Sequence, residues 1–189
     1  MLSMMNLLTT FDPLKGQIPG AALEKRYLSD LRGCFIDTIA YEQALSNDDS
    51  VVYSVCALEQ PPEEGQLNLA VGRILPGKIG MEYFMTKGHF HAWRPAAEFY
   101  LGLSGEGCLL LESEDGSQAQ MVPLCPNSAV YVPGNTAHRT MNTAAVPLVY
   151  VGIFPAQSGH DYATIAQQNF HHVVIERDGK PVMLRREQL

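Results

Sequence analysis

Gly88–Gly107, GHFHAWRPAAEFYLGLSGEG, is the stretch whose reading decides the fold. His89 and His91 stand two apart, the spacing at which side chains of an extended strand return to one face, so both imidazoles can address a single ion. Six residues separate His91 from Glu98, where a run of aromatic and apolar strand formers begins. Tyr100 shares the Glu98 face and can offer a phenolic hydroxyl to a ligand or serve as a core tyrosine. Downstream, VYVPGNTAHRTMN supplies His138 after a Pro-Gly turn. His89, His91, Glu98 and His138 form a donor set suited to a divalent transition metal: imidazole favours borderline cations, and the carboxylate cancels part of their charge. A single histidine on an apolar strand is more often a hydrogen-bonded core residue, so it is the joint occurrence of the four that carries the metal reading.

Working outward, the chain from Val51 onward is a succession of short apolar runs: VVYSVCAL, LNLAVGRIL, EFYLGLSGEGCLLLE, AQMVPL, SAVYVP and PLVYVGIF. Each is bounded by Gly, Pro, Asn or Asp, which predicts an all-β barrel or sandwich. Gly105-Glu106-Gly107 reads as a tight hairpin and Glu114-Asp115-Gly116 as the next turn, giving a meander. Residues 21–46 read as a short helical or irregular segment, with Leu23, Tyr27, Leu28 and Leu31 on one helical face and a break at Gly33. This segment is an accessory to a single domain, residues 1–189, whose barrel core spans roughly residues 50–170. Asp178-Gly179 predicts a hairpin between two terminal strands that extend the sheet or pair with another subunit. The adjacent His171 and His172 point to opposite faces of an extended segment and cannot chelate together; surface or interface packing is their expected role.

A chain of 189 residues holds one domain with a substantial core. A net charge of −7, with no Lys/Arg-rich run, argues against a nucleic-acid partner. No apolar run approaches the ~20 residues that span a bilayer, and the opening MLSMMNLLTTFDPLKG lacks the basic leader of a secretory signal. A cytoplasmic protein with no membrane partner is expected. Cys34, Cys56, Cys108 and Cys125 are widely separated, with no Cys-x-x-Cys pair, and read as buried free thiols.

The two histidine segments resemble the paired motifs of the cupin superfamily. The first is carried by His89, His91, Glu98 and Gly105, the second by Pro133, His138 and Asn142. The gap between His91 and Glu98 is longer than that pattern usually shows. With LPGKIGMEYFMTKGHFHAW, AEFYLGLSGEG, YVPGNTAHRTMNT and FPAQSGHDYATI, it makes residues 50–170 similar to the cupin-type glucose-6-phosphate isomerases. The resemblance implies a cupin double-stranded β-helix (a jelly-roll barrel) in a homodimer. It also implies one divalent metal per subunit, Fe2+ first and Mn2+, Ni2+ or Zn2+ as alternatives, near the C1 and C2 oxygens of a sugar phosphate. The implied activity is metal-dependent interconversion of glucose 6-phosphate and fructose 6-phosphate, in glycolysis and gluconeogenesis.

Within that frame Glu98 is both a ligand and a candidate base, although tight ligation lowers basicity and a ligand-only role stays open. His160, following a glycine in SGHDY, is the second acid–base candidate, with Asp161 orienting a neighbour and Tyr162 supplying a hydroxyl. The alternative is an ordinary surface-loop histidine. Thr86, Lys87 and Gly88 offer a hydroxyl, an ammonium and a backbone N–H to a phosphate, and the resemblance adds Tyr53. Two positions depart from the family: Gly72 stands where a hydroxyl residue is common, with Arg73 as its candidate replacement, and Phe154 stands where a tyrosine is common. Trp93 either caps the pocket or covers its rim. Action on another sugar, oxygenase chemistry and non-catalytic sugar binding remain the competing readings. His160 and Tyr162 favour catalysis, since a mere metal binder has no need of a second polar cluster.

Overall fold

Each strand run quoted above falls on a strand of the computed structural model, EFYLGLSGEGCLLLE on two, and the structure describes residues 8–189. Most of the opening apolar run, MLSMMNL, lies outside the described residues. In chain order the elements are β1 (Leu23–Tyr27), α1 (Thr38–Asn47), β2 (Val51–Leu58), β3 (Leu67–Ile74), β4 (Lys78–Ile79) and β5 (Glu82–Tyr83). There follow β6 (Glu98–Ser104), β7 (Gly107–Glu112), β8 (Ala119–Leu124), β9 (Ala129–Val132), β10 (Ala137–Asn142) and β11 (Leu148–Pro155). The chain closes with α2 (Tyr162–Gln168), β12 (His172–Arg177) and β13 (Lys180–Arg185). The all-β expectation therefore holds. Among the described residues no helix is long and apolar enough to cross a membrane.

Three sheets result, ordered β1-β2-β3-β11-β6-β9, β10-β7-β8 and β13-β12-β5-β4. Their facing sides share one core, from Val52 and Tyr100 through Leu109, Leu110 and Met141 to Val174. Full burial of leucines such as Leu109 and Leu124 contributes about 1.5–3 kcal/mol each. The outer face of the six-stranded sheet is partly covered by the chain before β1, where Ile18 packs with Cys56, Val71, Val149 and Val151.

Three expectations give way. Gly105-Glu106-Gly107 is not a hairpin, because β6 pairs with β11 and β9 while β7 pairs with β10 and β8. Gly105, at φ +74°, instead turns the chain from one sheet into the other, and the meander becomes a crossed jelly roll. Residues 23–27 are a strand rather than a helix: they pair with β2 in the register Leu23↔Cys56 to Arg26↔Tyr53, and the open sheet edge prevails over local helical periodicity. A 3-10 turn at Leu28–Leu31 follows, Gly33 breaks the chain at φ +81°, and the α-helix starts only at Thr38, capped by the Asp37 carboxylate accepting from Ala40 N–H. Finally, all four cysteines are free, but only Cys56 and Cys108 are buried; Cys34 is half-buried and Cys125 exposed.

Two turns agree with the sequence. Residues 113–118 join β7 to β8, and Asp178 and Gly179, at φ +53° and +72°, close the β12–β13 hairpin. Those terminal strands extend a sheet of their own chain through β5. His172 is more than packing: the Glu112 carboxylate accepts from both the His171 and His172 N–H groups and lies 2.7 Å from the buried His172 ring Nδ1. His171 remains half-buried.

Candidate metal centre

β10 carries His138, and an isolated bridge locks it to His89 through His89 N–H to the His138 carbonyl (3.2 Å) and the reverse bond (3.0 Å). His91 follows on the same face, and Glu98 opens β6. The ligand atoms of these four residues all lie within 4.8 Å of one another. His91 Nδ1 sits 3.1 Å from the Ala96 carbonyl and His138 Nδ1 3.3 Å from the Thr136 carbonyl. A carbonyl only accepts, so both Nδ1 atoms carry the proton and both Nε2 atoms are bare. Those bare nitrogens face Glu98 Oε2 at 3.3 and 3.2 Å, acceptor against acceptor, and all three Nε2 atoms are buried without a hydrogen-bond partner. A cation at their focus resolves the conflict, and three nitrogens with one oxygen fit a divalent transition metal.

The pKa directions agree with this. Burial, then the rings of His138, His160 and His91, pull His89 well below the usual histidine range, leaving a neutral ligand. Burial raises Glu98, but positive charge at its shared focus with His138 and His91 outweighs burial and holds the carboxyl below its ordinary value; a bound cation would supply that charge while both Nε2 atoms stay bare. Burial, reinforced by the Glu98 charge, pushes Tyr100 well up, so its phenol keeps its proton and can donate.

The centre opens into a cavity of about 480 Å³ that Tyr53, Thr86, Gly88, Tyr100, His160 and Tyr162 all line, within the usual range of small-molecule sites. His160 is exposed at the mouth, its ring centroid 4.5 Å from that of His89 and 5.8 Å from that of Tyr162 at an interplanar angle of 18°. Lys87 is not in this lining; it borders a smaller cavity instead. Arg73 also points elsewhere: it belongs to the opposite face of β3, where its Cβ packs against Gly16. At Gly72 the space a side chain would occupy is filled by the Tyr150 ring, whose hydroxyl would lie 2.5 Å from a Cβ there. A phenol from the adjacent strand thus stands where a residue-72 hydroxyl is missing. Phe154 supplies an apolar wall, its ring 5.7 Å from His160.

The long His91–Glu98 connection acts as a clamp. Arg94 Nη1 donates to the His91 carbonyl and Nη2 to the Asp161 carboxylate, both at 2.7 Å. Ala92 and Trp93 N–H groups donate to the carbonyls of Gly159 and Ser158. These bonds tie the His160 loop to the metal-binding strand, and Asp161 caps α2 through Thr164. Trp93 lies on the rim, 44% exposed and outside the cavity lining.

Three contributors escaped the sequence reading. Arg26, on β1, is the one Lys or Arg side chain among the described residues that lines the cavity; its Nη2 donates to Glu24 at 2.9 Å. Its signal was the alternation of Glu24 and Arg26, hidden by the helical reading of the same segment. Gly152 makes room for Glu98, whose Oε1 would stand 2.5 Å from a Cβ at that position. Tyr150 is the third, and nothing local marked either it or Gly152.

Fold and site together define a cupin with a cluster of three histidines and one carboxylate able to hold a divalent metal. In keeping with that fold, an oxalate oxidase of known structure superposes with a TM-score of 0.50 over 60% of this chain and 56% of that one, at 14% identity. The family model for glucose-6-phosphate isomerase (GPI) matches residues 25–188. The glucose-6-phosphate isomerase of Thermococcus kodakarensis is 48% identical over 165 residues, 87% of this chain and 86% of that one. That of Pyrococcus abyssi is 45% identical over 87% of each chain, and that of Sinorhizobium medicae 38% identical over 84% of this chain and 74% of its own. The chain belongs to the glucose-6-phosphate isomerase family.

Proposed function

We propose that this chain interconverts glucose 6-phosphate and fructose 6-phosphate. The observation that carries the reading is a largely buried cluster of three histidines and one glutamate opening into a cavity in which Arg26 is the one Lys or Arg side chain among the described residues. His89, His91, Glu98 and His138 hold the divalent ion, Fe2+ first, with Mn2+, Ni2+ or Zn2+ as alternatives for the same donor set. When bound, the ion supplies Lewis-acid polarisation of the sugar's carbonyl and adjacent hydroxyl oxygens.

The rest of the chemistry belongs to the chain. Arg26, opposite Tyr53 in the β1–β2 register, anchors the phosphate with Tyr53, Thr86 and Gly88. Glu98 Oε2 faces the imidazoles, while Oε1 lies against Gly152 in the cavity wall and takes the C2 proton of the aldose. The C–H electron pair becomes the C1=C2 bond of a cis-enediol as O1 gains a proton. Return of the proton to C1 and loss of the O2 proton complete the ketose. His160, lowered from the usual histidine range by partial desolvation of its inner ring face and by the neighbouring His91 and His138 rings, moves protons between the oxygens. Tyr100, pushed up by burial, and Tyr162, raised by partial desolvation at the mouth, keep their protons and donate to those oxygens.

We place the enzyme in the cytoplasm, since a phosphate ester's charge confines it to the compartment where it is made, and read it as a homodimer. The exposed Phe99–Tyr131 pair, ring centroids 5.2 Å apart on the sheet's outer face, supports the second reading. The test of the reaction is metal-loaded enzyme with glucose 6-phosphate deuterated at C2, followed by proton NMR. Fructose 6-phosphate that has lost deuterium to solvent is expected. Complete retention at C1 would replace proton transfer by a hydride shift, and no fructose 6-phosphate at all would overturn the isomerase reading.

A further inference from the structure

A second cavity, of about 190 Å³, lies behind a wall shared with the first: Gly88 and Tyr162 line both. Among the described residues its charged lining is Arg32, Lys87 and Arg139 against Asp30; Arg32 is paired with Glu42 outside the lining, which leaves Lys87 and Arg139 as the cations to be matched. Arg139 alternates with His138 on β10, so its side chain leaves the opposite face of the strand. It is 2% exposed. Its Nε and Nη2 donate to the Lys87 carbonyl at 3.0 and 2.6 Å, Nη2 also to Asn169 Oδ1 at 3.1 Å, and the guanidinium stacks 4.3 Å from the Phe170 ring.

All of these partners are electrically neutral. The carboxylates that act on Arg139, Glu82 and Glu112, do so from a distance, and among the described residues neither pairs with its guanidinium. Glu82 accepts the Ile36 N–H, and Glu112 is engaged by His171 and His172. A second, half-buried guanidinium, Arg186, likewise donates only to carbonyls, those of Phe170 and Cys34. Burying a cation without a counter-charge costs several kcal/mol, and Arg139 Nη1 makes no hydrogen bond within the described residues. The cavity that Arg139 and Lys87 both line is a place where an offsetting negative charge can sit.

We propose that this cavity is a phosphate site separate from the catalytic one, with Arg139 and Lys87 supplying the charge-assisted contacts. Its occupancy is transmitted to the catalytic cavity through Gly88 and Tyr162. The ligand is an inorganic phosphate or a small phosphomonoester, since both present the same oxyanion.

Isothermal titration of the metal-loaded enzyme with inorganic phosphate, and separately with 2-phosphoglycolate, tests this without measuring turnover. A second phosphate per subunit is expected beyond the one that Arg26→Gln weakens. Ala166 is exposed on α2 while lining the cavity, so Ala166→Trp fills the space without entering the core; thermal melting verifies its fold. Ala166→Trp and Lys87→Gln should each weaken the second phosphate by about tenfold or more. Tighter binding of the ester identifies a phosphomonoester as the ligand, and tighter binding of phosphate identifies the free ion; either supports the site. A single phosphate that Arg26→Gln abolishes and Ala166→Trp leaves intact would overturn it, as would two sites that ignore both cavity variants.

Discussion

Replacing Gly152 by alanine inserts one methyl group beside the metal centre. The added Cβ would stand 2.5 Å from Glu98 Oε1, against an ordinary C···O approach of about 3.3 Å. The carboxylate must therefore retreat by about 0.8 Å, several times the ~0.2 Å tolerance of a metal–ligand bond. Because the obstructed atom is the end of a flexible side chain, the fold loses little. Gly152 lies in a strand and outside the positive-φ region, so alanine suits its backbone and offsets the strain by about 0.5–1 kcal/mol. The expected result is unchanged or slightly higher thermal stability with metal affinity reduced about 10- to 100-fold, or about 1.4–2.8 kcal/mol. Competition titration of Mn2+ or Zn2+ against a fluorescent chelator reads the first quantity and calorimetry the second. Wild-type metal affinity in a folded variant would refute the placement of Glu98.

His138→Ala should abolish metal retention, whereas His160→Ala should retain the metal and lose turnover by about 10²–10⁴; full activity in both would show the site to be misassigned. Arg26→Gln should raise KM for fructose 6-phosphate about tenfold with kcat little changed, since it removes binding at a part of the substrate remote from the reacting carbons. An unchanged KM would move the phosphate anchor elsewhere. The Thr164 hydroxyl and N–H, with Arg94, hold Asp161 down at about 2. A depressed carboxyl contributes stability above its unfolded value, near ~3.9, and loses it as pH falls toward the folded one. Asp161→Asn should therefore cost about 1–2 kcal/mol at neutral pH after solvent screening of this partly exposed pair. That difference should shrink between about pH 4 and 2 in urea melts, and a pH-independent difference would count against the clamp.

The convergence of the four residues was legible because its logic is local: His89 and His91 share a strand face, and Glu98 and His138 begin or follow recognisable strand runs. Strand positions were legible for the same reason. Strand partners were not, since nothing in EFYLGLSGEGCLLLE says that its two halves enter different sheets. Residues 23–27 satisfied a helical pattern, and only the open edge of β2 decided against it; Arg26 was lost with that decision. Lys87 is the instructive miss. Alternation along an extended segment separates it from Thr86 and Gly88, and the structure sends it to the other cavity. Gly72 and Gly152 matter for what their missing side chains admit, the Tyr150 ring and the Glu98 carboxylate, and each becomes visible only when the neighbouring strand is in place.

The most direct test is turnover of fructose 6-phosphate by protein stripped with a chelator and then reloaded with Fe2+, Mn2+, Ni2+ or Zn2+. Fructose, mannose 6-phosphate and oxygen consumption are measured beside it. The structure predicts no product from the stripped protein, glucose 6-phosphate on reloading, and preference for the phosphorylated sugar. Failure to form glucose 6-phosphate with any of the four metals, or oxygen uptake in its place, would contradict it.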